Sequence, residues 1–133
     1  MFITNFGPSM NFAFPCVNKI VTPVGLIPIP LFNLSMNCFS VPTVFNIFVG
    51  GLPAHNILTI TPFSNGSEIA APTGGLISNM FCSATRNVFG SFKVFYGGAP
   101  VTRWLDPTVQ NGFIPNSVGA TLTMTNLKQM ALT

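Results

Sequence analysis

The sequence predicts an all-β domain, and three observations carry that prediction. The first is a segment written twice: Val44-Phe45-Asn46-Ile47-Phe48-Val49-Gly50-Gly51-Leu52-Pro53-Ala54-His55-Asn56 returns 47 positions later as Ser91-Phe92-Lys93-Val94-Phe95-Tyr96-Gly97-Gly98-Ala99-Pro100-Val101-Thr102-Arg103. Both Phe, the Gly-Gly pair and the Pro keep register. Phe, Ile, Val and Tyr favour a pleated, half-buried surface, and paired glycines supply the positive φ of a tight hairpin turn. Each copy therefore reads as a strand, a turn and an outgoing strand opened by Pro. The second observation is the spread of 12 Pro and 12 Gly along 133 residues, which leaves no room for a long helix. The third is the Phe-rich, β-branched character of the runs between those punctuation marks, 14 Phe in all.

The elements follow in order. Residues 1–13, Asn- and Phe-containing without a clear period, read as an N-terminal arm or edge segment, and residues 14–133 as the domain body. Within 14–33, Pro alternates with Ile or Leu (Pro28-Ile29-Pro30), which suits edge-strand or polyproline backbone where a missing N–H does little harm. Residues 34–41 read as a short strand or helical turn. The first repeat runs on into a strand over 57–61, and Asn65-Gly66 and Thr73-Gly74-Gly75 mark a polar loop over 62–75. Strands are expected over 76–82, 88–96 and 101–105. The tail carries turn signals at Asp106-Pro107 and Asn111-Gly112, then Asn116, Thr121-Leu122-Thr123 and a short final segment. Two repeats are evident and no third.

Composition narrows the function. Seven residues are charged, 5% against a typical value of about 25%, while 48% are hydrophobic. Such a chain has too few charges for an ordinary solvated surface. A helical membrane span needs about 20 consecutive apolar residues, and the best candidate stretch is broken by Pro23, Pro28 and Pro30. A secretory leader pattern is also missing from the first residues, so synthesis in the cytoplasm is expected. The net charge of +3 reflects scarce acids, with five cations scattered singly. That is no phosphate-tracking stripe, and it argues against nucleic-acid binding. What remains is apolar surface covered by another protein. Catalysis has few candidates: one His, two distant carboxylates and no nucleophile elbow, phosphate loop or zinc-protease helix.

Five runs in one order look familiar: Pro23-Val24-Gly25-Leu26-Ile27-Pro28-Ile29-Pro30, Gly51-Leu52-Pro53-Ala54-His55-Asn56, Arg86-Asn87-Val88-Phe89-Gly90-Ser91, Gly98-Ala99-Pro100-Val101-Thr102-Arg103 and Gln110-Asn111. Together they resemble the PAAR-like tip proteins of type VI secretion systems and related contractile injection machines. The resemblance implies a compact cone of β-hairpins that caps and sharpens a trimeric VgrG β-helical spike, one tip per trimer. It also implies delivery out of the bacterium with the spike, and carriage of effectors with or without an adaptor chaperone. An extracellular injection particle or phage-like tail is the alternative machine. A structural zinc protein and a membrane-active secreted β-protein are the alternative functions.

Site residues follow from the same reading. A spike-facing base is expected from Phe2, Phe6, Phe12, Phe14, Ile27, Ile29 and Leu31, because the early Pro-rich segment is unsuited to a central strand. Strict PAAR proteins hold zinc with His and Cys. Here His55 with Cys16, Cys38 and Cys82 is the one full Cys₃His set, though its intervals of 22, 17 and 27 positions match no familiar zinc spacing. Related chains carry Cys-x-x-x-Arg-His, whereas Asn87 follows Arg86 here and removes a ligand, so no cofactor is the leading expectation and zinc the alternative. In a charge-poor fold Arg86 and Arg103 are expected to pair with Asp106 and Glu68, since a lone buried charge is costly.

Overall fold

The computed structural model describes residues 2–41, 44–71, 73–112, 114, 116–123 and 126–131. The fold is all-β, with two single-turn 3₁₀ segments, Asn37–Phe39 and Glu68–Ala70. The longest elements are β1 (Met10–Thr22) and β2 (Gly25–Met36), a hairpin closed by Pro23 and Val24. They join β5 (Ile60–Thr61), β6 (Thr85–Asn87), β9 (Pro107–Gln110) and β10 (Ser117–Thr121) in one antiparallel sheet, ordered β2-β1-β10-β9-β6-β5. Two short hairpins stand apart from it: β3 (Phe48–Val49) with β4 (Leu52–Pro53), and β7 (Phe95–Tyr96) with β8 (Ala99–Pro100).

Prolines sort by position in the sheet as hydrogen bonding demands. Leu34 donates its N–H to Asn65 O, away from β1, so Pro28 and Pro30, at the same parity, place their missing donors on the open edge of β2. That edge is thereby blunted against strand addition. Strand β1, in contrast, is central, flanked by β2 and β10. It tolerates Pro15 because the register shifts between Ala13 and Cys16, and a bulge releases the ladder there. The expected strand over 76–82 does not form. Those residues turn around Gly75, whose N–H reaches Met80 O, with Asn79 and Cys82 at positive φ.

The interior is polar and the exterior apolar. Among the described residues, buried Asn, Ser and Thr outnumber buried aliphatic side chains, while Val24, Phe45, Phe92 and Leu127 stand in solvent. Short strands explain this. They leave many loop N–H and C=O groups without ladder partners, and buried backbone groups must be satisfied. Asn carries both a donor and an acceptor and serves two at once. Asn5 Nδ2 donates to Val49 O at 2.8 Å while its Oδ1 accepts from Gly7 N at 3.0 Å. Asn111 and Asn116 serve backbone groups elsewhere, accepting from Ser83 N and donating to Val17 O, while Asn11 and Asn37 bond other side chains.

Candidate functional site

The two Gly-Gly hairpins are corners of a threefold arrangement, and the third corner is assembled from opposite ends of the chain. In each visible repeat a Phe pairs with the Pro after the turn, Phe48 with Pro53 and Phe95 with Pro100. Phe2 pairs with Met130 in the same way. The next bond repeats too: Ala54 N donates to Ile47 O, Val101 N to Val94 O and Ile3 N to Gln129 O, at 2.9, 3.0 and 3.1 Å. Phe48, Phe95 and Met130 are thus equivalent, as are Ala54, Val101 and Ile3.

The outgoing segments close a triangle. Asn5 bridges to Ala54, Asn56 to Val101 and Arg103 back to Ile3. Ile3, Val49, Ala54, Val101 and Ala131 fill its centre, with Ile47, Val94 and Tyr96 packed against them. The turns explain why Gly-Gly stands in both repeats. Gly50 and Gly51 have φ of 61° and 83°, Gly97 and Gly98 65° and 82°, the double positive φ of the hairpin turn that suits strand twist. Side chains copy the symmetry as well. Asn56 Nδ2 donates to Tyr96 O at 3.0 Å, as Asn5 does to Val49 O. Ser91 Oγ accepts from Val94 N and Asn126 Oδ1 from Gln129 N, each fixing the strand that follows. At the third equivalent of Asn5 and Asn56 stands Arg103, whose Nη2 pairs with buried Asp106 Oδ1 at 3.2 Å while its N–H donates to Oδ2 at 2.7 Å. The sequence set Arg86 and Arg103 against Asp106 and Glu68, and this is one of the possible pairs.

The outer rim of this triangle is an apolar collar. Two exposed residues stand on each corner: Phe45 and Phe48, Phe92 and Phe95, Leu127 and Met130. The first of each pair is 67, 78 and 69% exposed, the second 58, 55 and 53%. Matched exposure at matched positions is what a threefold docking surface requires. From the collar, β1 carries the chain about 40 Å onward at the usual rise per residue, to the turn where Val24 is almost wholly exposed. The sequence showed two corners; the third lacks Gly-Gly and was missed. The recurring apolar-x-x-apolar spacing, Leu127 to Met130 as in Phe45 to Phe48, is the signal that could have found it.

Of the residues singled out from the sequence, Phe2 pairs at the third corner and Phe6 packs against His55, while the others lie elsewhere. Phe12, Phe14, Ile27, Ile29 and Leu31 all sit on the β1–β2 hairpin, Phe14 and Ile27 exposed and the others half-buried. None belongs to the collar. His55 lies under the triangle, buried, with Nε2 2.9 Å from Ser40 Oγ and its ring edge-on to Phe6. Cys16 is buried near Asn116 Nδ2 at 3.1 Å, and Cys38 lies in the Asn37–Phe39 turn. Cys82 accepts from Ser67 Oγ, and burial is the first cause pushing its thiol above the usual range. Among the described residues, no three His, Cys, Asp or Glu come together as metal ligands. The Cys₃His set therefore does not fit a four-ligand site in this arrangement.

Burial lowers the pKa of His55 from 6.5 to about 4. The folded state then binds fewer protons than the unfolded state between those values, so stability rises with pH across that window and is lost as pH falls through it. The expected loss between pH 6.5 and 4 is about 3 kcal/mol. Urea midpoints at half-unit pH intervals measure it, and His55→Asn should flatten the profile. An unchanged slope in the variant would show that another group titrates.

A family model described as Toxin PAAR-like domain matches residues 9–117. Nothing among the curated proteins and nothing among the solved structures matches the chain. The matched span covers most of the sequence, including both Gly-Gly corners and the β1–β2 hairpin, and the chain belongs to the Toxin PAAR-like domain family.

Proposed function

We propose that this protein is a structural tip that caps the end of a trimeric VgrG-type spike of a type VI secretion system, one chain per trimer. The observation that carries the reading is the collar, three equivalent corners with paired exposed apolar residues on one asymmetric chain. A single chain meets three identical protomers best when it offers three similar contacts. Interfaces of this long-lived kind are hydrophobic, and exposed apolar patches on a small domain mark contact sites. The reading places the spike contact on the collar and leaves the hairpin that carries Phe12, Phe14, Ile27, Ile29 and Leu31 for the opposite end or for cargo. A tip seated in this way leaves the cell with its spike. Membership of a structural family suits a non-enzymatic role.

Co-expression with the VgrG-type spike, followed by gel filtration and native mass spectrometry, tests the proposal. The expected complex contains one chain per three spike protomers. A chain that stays monomeric beside a folded trimer, or binds three per trimer, would count against it.

A further inference from the structure

The collar is apolar but not uncharged, and its charges are placed by the same threefold rule. Directly after the first apolar residue of each corner lies an exposed polar position, Asn46, Lys93 and Lys128, and Gln129 beside Lys128 is exposed as well. In a chain with five cations in all, two of them occupy equivalent collar positions. Among the described residues, neither makes an ion pair. Asp106 is engaged by Arg103, and Glu68 accepts from Gly66 N in a loop beside β2. A surface that covers Phe92 and Phe95, or Leu127 and Met130, brackets the lysine between them. Removing an ammonium group from water without a partner is costly.

Resting on the tip reading, we infer that the spike end facing this collar carries one carboxylate on each protomer, placed to meet positions 46, 93 and 128. Two of the three carboxylates then pair with Lys93 and Lys128, and the third faces Asn46. The arrangement makes a gain of function available at a single exposed residue. Completing the cationic set with Asn46→Lys should tighten binding about fivefold, the scale of one partly exposed ion pair. Lys93→Glu with Lys128→Glu should weaken binding at least about tenfold, chiefly through slower association.

The experiment is surface plasmon resonance of the full chain against the immobilised VgrG-type trimer at about 0.05 and 0.5 M salt, spanning weak and strong screening. Support consists of opposite shifts for the two variants that shrink at high salt. Silent charge variants beside a Phe48→Asp variant that no longer binds would overturn the carboxylate ring and leave the tip reading standing. If Phe48→Asp is silent as well, or the wild-type chain does not bind, both fail.

Discussion

Replacing Phe48 and Phe95 together by aspartate is expected to abolish capture by the spike while leaving the fold intact. Both side chains are more than half exposed, so their loss removes little internal packing, and exposed substitutions of this kind usually stay within about 0.5 kcal/mol of the parent stability. Covering a Phe side chain by a partner contributes about 1.5–3 kcal/mol. Two such contacts correspond to a loss of affinity of at least about a hundredfold, before any penalty for pressing a carboxylate against an apolar surface. Leu127→Asp with Met130→Asp should do the same from a corner built at the other end of the sequence. Phe14→Asp, on β1 beyond the collar, should leave binding unchanged. Loss of binding through Phe14→Asp alone, with the collar variants still bound, would move the contact to the hairpin that the sequence first suggested.

The largest expected effect on stability comes from one added methyl group. Gly119 sits in β10 opposite Ala13 of β1, and a Cβ built there lies 1.9 Å from Phe12 O and 2.6 Å from Ala13 Cα. Both neighbours are backbone, held by the ladder that joins the two halves of the sheet. No rotamer change relieves the contact, so β1 and β10 must part. Overpacking of this sort costs about 1–3 kcal/mol where side chains can yield, and more where they cannot. Gly119→Ala is therefore expected to lose at least about 3 kcal/mol, a large share of the 5–15 kcal/mol typical of a folded domain. Its exposed neighbour Val118→Ala should stay near wild type. Urea unfolding followed by near-ultraviolet circular dichroism reads both, and equal midpoints for Gly119→Ala and wild type would refute the packing argument.

Several features were legible because their causes are local. Gly50-Gly51 and Gly97-Gly98 form the double positive-φ turns that their residue types demand. Pro28 and Pro30 keep β2 at an edge because neither has an N–H to share. Arg103 and Asp106 pair across three positions, where a buried carboxylate in a charge-poor chain has few other partners. The ordered runs around Pro23, Gly51, Arg86 and Gly98 were enough to indicate a PAAR-like domain, in agreement with the family match.

The sequence alone determined the all-β class, the two tight hairpins, the family and the scarcity of charge, and for the segment that became β2 it offered an edge strand or polyproline backbone. The tertiary structure alone decided how those hairpins are arranged. The third corner joins Phe2 to Met130 across almost the whole chain, with no Gly-Gly turn to announce it. The same holds for β1, where a bulge at Pro15 makes a central strand from a segment whose residue preferences argue against one. It holds too for the interior, where Asn and Ser side chains are buried because loop backbone left unpaired by short strands needs them. Turn and edge preferences act over a few residues and can be read in one dimension. Closure of the collar and satisfaction of buried polar groups are conditions on the whole assembled body, and they are met only when distant segments arrive together.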